Sequence, residues 1–251
     1  MMSPFLLIVS ISMLCSAAVA KGGYNVWAKE KIRYLNSRII RDPYNPQLRL
    51  LMANAYINDG RKLEAKKELY RALELDSTFA EAYCNLGVVL HSQGYAKEAE
   101  TNYEVALYLD STLVEARAGL GTLLCRSERQ VEGLEHLEAV IRLDPDHRGA
   151  LYNMAVAYHQ VEDFKKAIEY FEDLLQIQAD YPGARINLAR AYYSLGLLRL
   201  QAEQTDLAIA AFEQAVVHEA DNSNMHFARG LAYLEAEKLP DAEASFTRAV
   251  E

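Results

Sequence analysis

The sequence predicts an all-α fold built from tandem repeats, and two observations support that prediction. A segment in which a Leu or Met precedes a small residue returns every 34 residues along most of the chain. A second small residue lies twelve positions beyond each of the first four such sites, and a bulky apolar residue follows four positions later. Self-similarity at this spacing is typical of stacked helical repeats, because one unit alone cannot bury its apolar face.

Six copies share this arrangement. Their first sites are Met52-Ala53, Leu86-Gly87, Leu120-Gly121, Met154-Ala155, Leu188-Ala189 and Arg229-Gly230. Their second sites are Ala65 with Leu69, Ala99 with Tyr103, Gly133 with Leu137, Ala167 with Phe171, Ala208 with Phe212, and Ala242 with Phe246. The pattern resembles the tetratricopeptide repeat family, whose unit is a helix–turn–helix with Leu-Gly, Tyr, Ala and Phe at fixed positions. The tyrosine position here reads Tyr56, Leu90, Leu124, Tyr158, Tyr192 and Tyr233, and the terminal proline position is filled only by Pro145.

The resemblance covers residues 46–251 and, weakly, residues 27–45. It implies a right-handed superhelical solenoid of six helix–turn–helix repeats with an N-terminal capping half-repeat. The capping helix is assigned to residues 21–45, and the repeats to residues 46–79, 80–113, 114–147, 148–181, 182–222 and 223–251. The fifth repeat is seven residues longer than the others, which is about two helical turns. We expect its segment "SLGLLRLQAEQTD" to lengthen the hairpin without changing the buried face.

Several residues are predicted to set the geometry within each helix pair. Gly or Ala is expected where two helices cross closely, so Gly87 is interpreted as a packing glycine and not as a hinge. Three glycines are expected to end first helices in the left-handed conformation: Gly60, Gly94 and Gly196. Capping boxes are expected at Thr78 with Glu81 and at Thr112 with Glu115. Pro240 suits the first turn of the last helix.

The first 20 residues differ from the rest of the chain. They contain no charged side chain and end in Ala18-Val19-Ala20, which fits a small-x-small cleavage site. We interpret residues 1–20 as a cleaved signal peptide and expect an exported protein, periplasmic or secreted. Two alternatives stay open: an uncleaved signal that anchors the chain in a membrane, and a lipoprotein. Lipidation of Cys15 would require a small residue before it, and that residue is Leu14.

The overall charge limits the kinds of partner. A formal net charge of −9 and a pI near 5.3 argue against a nucleic-acid-binding surface, which needs clustered Lys and Arg. No residue pattern indicates a cofactor or a small-molecule substrate. We therefore expect the partner to be another protein or a peptide, with a homo-oligomer through the last repeat as an alternative.

The cysteines and histidines are interpreted as structural residues and not as catalytic or metal-binding ones. Cys84 would need a base to act as a nucleophile, and His91 lies seven residues on, about 10 Å along the same helix. Cys84 and Cys125 are expected to be free thiols, because their positions on adjacent first helices are too far apart for a disulfide. His91, Cys125 and His159 share one position in successive repeats, but helices ~8–10 Å apart cannot bring three ligands to one metal ion. We expect neither a catalytic site nor a metal site.

The resemblance places ligand binding on the concave side, which the first helices line. Asn85, Asn153 and Asn187 share one position, where an amide can donate to and accept from the backbone of an extended peptide; the alternative is that these amides are merely solvated. The predicted peptide-binding groove comprises Asn54, Asn85, Val88, His91, Tyr152, Asn153, Val156, His159, Asn187, Arg190 and Tyr193. The same inward face is expected to hold Leu50, Cys84, Cys125, Ile186, Phe227 and Leu231.

Two functions follow from this interpretation. The first is a non-catalytic scaffold that binds an extended segment of another protein in the groove. Chaperone-binding relatives hold a C-terminal carboxylate with cations. No such clamp is expected here, because the matching positions lack cations and Glu115 would repel the ligand. The matching positions are Leu50, Asn54, Asn85, Glu115 and Gly119. The alternative is a structural assembly subunit that self-associates or docks through the last repeat, where no following helix covers Phe246, Ala249 and Val250.

Overall fold

The computed structural model describes residues 23–127 and 129–251, so the predicted signal peptide, residues 1–20, lies outside the described part. Every regular element in that part is an α-helix. The helices are α1 (Gly23–Arg41), α2 (Pro46–Asn58), α3 (Lys62–Leu75), α4 (Ala80–Ser92), α5 (Ala96–Leu109), α6 (Val114–Cys125), α7 (Gln130–Leu143), α8 (Arg148–Gln160), α9 (Phe164–Ile177), α10 (Ala184–Gln201), α11 (Thr205–His218), α12 (Ser223–Glu235) and α13 (Leu239–Val250). Among these, none is both long enough and apolar enough to cross a bilayer.

From α2 onward the helices form successive pairs, each with a first and a second helix, which confirms the predicted all-α repeat fold. The first helices are α2, α4, α6, α8, α10 and α12, and the second helices are α3, α5, α7, α9, α11 and α13. The chain divides into two compact units, one ending at Gly119 and the other beginning at Leu120, within α6.

In the first unit, α1 packs against the first helix that follows it. The buried cluster comprises Ile32, Leu35 and Ile39 of α1 with Leu48, Met52 and Ala55 of α2. Lys31 and Arg38 hold the positions in α1 that Ala65 and Ala72 hold in α3, 34 residues later. Both alanines are fully buried, whereas both cations are exposed. A polar outer face of this kind is what the terminal element of a repeat array needs.

The two helices of a pair approach most closely at a small residue. A Cβ on Gly87 would lie 2.7 Å from Cε1 of Tyr103, so the interpretation of Gly87 as a packing glycine is confirmed. The prediction for Gly196 is wrong, because this residue lies inside α10 and does not end it. A Cβ there would lie 2.6 Å from Cε1 of Phe212, which makes Gly196 a packing glycine as well.

The seven additional residues of the fifth repeat lengthen α10 to 18 residues, compared with 13 in α8 and α12. The N-terminal half of α10 keeps the usual spacing to α9, since Tyr192 donates to Glu172, 20 residues back. The C-terminal half keeps the usual spacing to α11, since Gly196 faces Phe212, 16 residues on. Ala189 and Gly196 are both buried, so about two added turns preserve the buried face, as predicted.

Within residues 23–127 and 129–251, the turns inside five of the six pairs contain a residue in the left-handed conformation. Gly60 and Gly94 have φ of 76° and 86°, which confirms the prediction for these two glycines. Glu162, Glu203 and Glu237 occupy the same position in the last three repeats, with φ of 62°, 55° and 58°. A side chain in this region is strained because its Cβ approaches backbone oxygen atoms.

The predicted capping boxes, Thr78 with Glu81 and Thr112 with Glu115, are wrong. The backbone N and Oγ1 of Thr78 both donate to Oδ1 of Asp76, at 2.9 and 2.7 Å. Thr112 makes the same two bonds to Asp110. An Asp carboxylate that bonds the amide two residues on forms an Asx turn, and here it engages the threonine before the helix begins. Pro240 lies in the first turn of α13, as expected.

Candidate functional site

The asparagines of the predicted groove connect neighbouring first helices. Asn85 Nδ2 donates to Asn54 Oδ1 at 2.8 Å in the first unit. In the second unit, Asn153 Nδ2 donates to Thr122 Oγ1 at 2.9 Å, and Asn187 Nδ2 donates to the hydroxyl of Tyr152 at 2.9 Å. All three amides are half-buried. Each NH₂ group therefore serves the packing of the repeats, which leaves the amide oxygen as the group that can accept a hydrogen bond from a ligand.

Apart from the half-buried Val156, the aliphatic, phenylalanine and cysteine residues assigned to the inward face divide into two groups. Val88, Ile186, Phe227 and Leu231 are between 40% and 52% exposed, so they can contact a ligand. The assignment is wrong for the remaining three, which are at most 5% exposed and belong to the core: Leu50, Cys84 and Cys125. The exposed first-helix surface is therefore narrower than the sequence predicted.

In the second unit, four of the predicted groove residues line one pocket of about 190 Å³. They are Val156 and His159 of α8 with Asn187 and Arg190 of α10. Gln160 and Phe171 complete the lining. A pocket of this size holds one side chain of a bound segment and not a drug-sized molecule, which needs ~300 Å³ or more.

The imidazole of His159 is held at the edge of this pocket. Its ring packs edge-on against Phe164, with centroids 5.2 Å apart, and its Nε2 lies 3.3 Å from Oγ of Ser194. Burial lowers the pKa of His159; a hydrogen bond to the backbone of Arg190 opposes this shift, and the charge of Arg190 adds to it. The ring is therefore neutral near pH 7, and Arg190 is the cationic group among the residues that line the pocket.

The other predicted groove residues lie outside this pocket. Tyr152 packs against Phe171 and Tyr181, with ring centroids 5.9 and 5.4 Å away. Tyr193 packs against Phe212 at 5.8 Å. His91 is half-buried on α4 in the first unit, where Asn54 and Asn85 form their own pair. Tyr152 and Tyr193 thus support the groove wall through their rings.

Cys84 and Cys125, the two cysteines within the described residues, are buried and free. Burial raises the pKa of the Cys84 thiol to about 12, with the charges of Glu115 and Glu81 adding to the shift. Burial alone raises the pKa of Cys125 to about 11. Both thiols are protonated near pH 7, the form that is not nucleophilic. Among the described residues, no group of three or more His, Cys, Asp and Glu side chains is arranged to hold a metal ion.

A second concave surface lies at the end of the last helix pair. An apolar cleft of about 490 Å³ is lined by Leu234, Leu239, Ala242, Glu243, Phe246, Thr247 and Val250. Phe246 packs against Phe227 with ring centroids 5.6 Å apart, and Ala249 is half-buried. Val250 is 85% exposed. We call this surface the C-terminal face.

Sequence reasoning missed two residues that line the pocket, Gln160 and Phe171, and five that line the C-terminal face: Leu234, Leu239, Ala242, Glu243 and Thr247. Gln160 follows His159 directly, so its place at the helix end beside a predicted residue could have indicated it. Phe171 was assigned to the core by the repeat pattern, and only the packing places its ring edge beside the pocket. Leu234 and Leu239 flank the last turn, and both are exposed apolar residues.

Comparison with known proteins adds two findings. Four models of the tetratricopeptide repeat family match residues 53–94, 80–113, 146–216 and 193–251. No curated protein sequence matches the chain.

Solved structures share its architecture at low sequence identity. YrrB, described as a tetratricopeptide repeat protein with an unusual peptide-binding site, aligns with a TM-score of 0.60 at 21% identity, over 82% of this chain and 98% of YrrB. PilF of Pseudomonas aeruginosa aligns with a TM-score of 0.58 at 22% identity, over 82% of this chain and 90% of PilF. The Cut9–Hcn1 hetero-tetramer of the APC/C contains a chain that aligns with a TM-score of 0.57 at 19% identity, over 90% of this chain and 44% of that one. At these identities the likeness concerns the fold alone.

Proposed function

Because the chain belongs to the tetratricopeptide repeat family, we propose that it is a non-catalytic scaffold that binds an extended segment of another protein along its first helices. The observation that carries the proposal is the pocket in which Val156, His159, Asn187 and Arg190 meet. It combines an apolar wall, a neutral imidazole, an amide and a cation within one concave surface. The fold is shared with YrrB, whose description names a peptide-binding site.

The proposed binding mode uses the backbone of the ligand. The oxygens of Asn153 and Asn187 accept hydrogen bonds from peptide N–H groups, which every extended peptide offers at regular intervals. Exposed apolar residues such as Ile186 and Phe227 contact the ligand side chains that point the same way. Protonated, buried thiols and the lack of a metal-ligand group among the described residues give this surface no reactive centre.

The proposed groove can be tested with a photoreactive amino acid placed at single sites. We expect Val156 replaced by such a residue to crosslink a partner protein in the native cell. The matched control is Val217, which is 68% exposed on the second helix α11, away from the pocket. Crosslinking from position 156 that disappears with Asn187→Ala, and none from position 217, supports the groove. Equal crosslinking from both positions argues against it.

We also propose that the protein is exported to the cell envelope or secreted. The proposal rests on residues 1–20, which carry no charged side chain and end in Ala18-Val19-Ala20. N-terminal sequencing of the native protein tests it. A mature chain that begins at Lys21 supports cleavage, whereas a chain that retains residues 1–20 in a membrane fraction supports the uncleaved anchor.

The C-terminal face favours a second candidate function, self-association of identical copies. One position in the second helices is apolar in every repeat: Leu73, Leu107, Ile141, Leu175, Val216 and Val250. The first five are half-buried, whereas Val250 is 85% exposed. Within the described residues no helix covers Val250, so a helix from a second copy could bury it.

The mass of the protein in solution tests this candidate. We expect Val250→Glu to reduce the mass to that of a monomer if the C-terminal face joins two copies. Val131→Glu is the matched control, because Val131 is a 72% exposed apolar residue on α7. A wild-type protein that is monomeric at high concentration contradicts self-association and leaves the groove as the sole candidate.

A further inference from the structure

The guanidinium of Arg190 is an unpaired cation at the mouth of the pocket in the second unit. Arg190 is exposed, and within residues 23–127 and 129–251 no acidic side chain forms an ion pair with it. Two other arginines on first helices of this unit are engaged: Arg148 donates to Gln178, and Arg229 donates to Ser245. Arg190 therefore has its donors available for a ligand.

The two first helices that carry the pocket, α8 and α10, have a net positive charge, whereas each second helix of the second unit has a net negative charge. α8 and α10 contain four arginines and no Asp or Glu: Arg148, Arg185, Arg190 and Arg199. Each of the second helices α7, α9, α11 and α13 contains at least two acidic residues. Although the net charge of the chain is −9, the Asp, Glu, Lys and Arg residues of these two helices are all cationic, and such a charge attracts an acidic ligand.

We infer that the pocket binds the side-chain carboxylate of an Asp or Glu within the bound segment, and this inference rests on the proposed function. Arg190 offers two parallel N–H groups, the geometry that matches a carboxylate. The exposed amide of Gln160 adds a further donor. Val156 and Phe171, which also line the pocket, supply the apolar surface for the methylene groups that precede the carboxylate.

A singly charged carboxylate suits this pocket better than a phosphate. Arg190 is the cation of the lining, since His159 is neutral near pH 7. A phosphorylated side chain carries a charge of about −1.5 to −2 and is usually held by several cations. The single guanidinium balances one carboxylate and leaves a phosphate partly uncompensated.

The inference can be tested with a library of displayed random 12-residue peptides that are fused at their C-terminus. The fusion removes the terminal carboxylate, so acidic side chains are the only carboxylates that the peptides offer. We expect selection on the full-length protein to enrich Asp or Glu at one position. A selected peptide should bind Arg190→Gln about tenfold to a hundredfold more weakly. Replacing the enriched acid by its amide should cause the same loss, and the two changes together should add little.

The matched control is Arg185→Gln, an exposed arginine of the same helix that does not line the pocket. It should retain full affinity, and circular dichroism should show both variants folded. Arg190→Glu should select peptides with Lys or Arg at the same position. Peptides without an acidic preference, or equal losses in both glutamine variants, would overturn the inference while peptide binding itself stands. A selection without any binder contradicts the proposed function, and this inference falls with it.

Discussion

The ring of Tyr103 occupies the space that a side chain at position 87 would need. A Cβ on Gly87 would lie 2.7 Å from Cε1 of Tyr103, and real Cβ atoms essentially never come that close to another heavy atom. Tyr103 is only 2% exposed, so its ring has no open space into which to move. The contact therefore sets the distance between α4 and α5.

We expect Gly87→Ala to destabilise the protein. Overpacking costs about 1–3 kcal/mol, and the higher helix propensity of Ala returns up to about 1 kcal/mol, so the net loss should be about 1–2 kcal/mol. The measurement is the urea midpoint followed by circular dichroism. Gly149→Ala is the control, because the nearest atom to its Cβ would be 3.5 Å away and the gain in propensity should dominate.

The same contact can be tested by a compensating change. In the first repeat, Ala53 and Leu69 hold the positions of Gly87 and Tyr103, and both are fully buried. Gly87→Ala should therefore cost little in a protein that already carries Tyr103→Leu. An equal cost in both backgrounds would mean that Tyr103 is not what excludes a side chain at position 87.

The left-handed glutamates should limit stability at their turns. Glu162→Gly removes the strain of a side chain at φ 62°, about 1–2 kcal/mol. The greater conformational freedom of Gly in the unfolded chain reduces this gain in stability by about 0.4–1 kcal/mol. We expect a net gain of about 0.5–1 kcal/mol, seen as a higher thermal midpoint. Glu169→Gly, inside α9, is the control, and its free energy of unfolding should fall by about 1 kcal/mol. A loss of stability in Glu162→Gly as well would show that the side chain at position 162 is not strained.

Tyrosines of three first helices are hydrogen-bonded to the preceding second helix. Tyr233 donates to Glu213 at 2.5 Å, and Tyr158 donates to Glu138 at 3.3 Å. We expect Tyr233→Phe to lower the free energy of unfolding by about 1 kcal/mol, and Tyr158→Phe to lower it by less because its bond is longer. Denaturant titration measures both. Tyr108→Phe should change nothing, since Tyr108 is 89% exposed, and a comparable loss there would remove the explanation.

The protein should become less stable as the pH falls below about 6.5. Burial lowers the pKa of both His159 and His218, so the unfolded chain binds more protons than the folded one once the pH falls below the ordinary histidine value of about 6.5. The contribution of the two neutral histidines to the free energy of unfolding is complete above that pH. It is lost as the pH falls towards the lower pKa of the folded state. Thermal midpoints at pH 7.5 and 5.5 measure the effect. His159→Gln and His218→Gln should each reduce the difference; an unchanged difference in both variants contradicts the prediction.

The sequence predicted the helix pairs well because the period and the small residues at the crossings are direct consequences of packing. It placed the fifth repeat in one register, with Leu188-Ala189 as the crossing, and interpreted Gly196 as a turn. Both Ala189 and Gly196 are buried on one face, seven residues apart. Gly196 and Phe212 are 16 residues apart, as are Gly87 and Tyr103. This spacing identifies Gly196, in addition to Ala189, as a crossing point of the fifth repeat.

The helix caps and part of the pocket could not be predicted, because the residue types alone do not show which of several competing local interactions forms. Thr78 could cap a helix or bond a nearby carboxylate, and Asp76 two residues earlier captures it. The pocket was predicted in part, because helical spacing placed Val156, His159, Asn187 and Arg190 on one side. Phe171 was not predicted, since its ring serves the core and reaches the pocket only with an edge.

In α10 the N-terminal half is aligned with α9 and the C-terminal half with α11, seven residues out of step, and this arrangement also bears on how such a chain can change in length. A segment of seven residues rotates a helix by nearly two whole turns, so its loss or gain keeps every later side chain on the same face, about 10 Å further along the axis. Removal of three or four residues would instead rotate the apolar stripe by about 40–60° away from the neighbouring helices. Heptad-sized steps are thus the natural increments by which a repeat of this array can grow or shrink while the repeats on either side stay as they are.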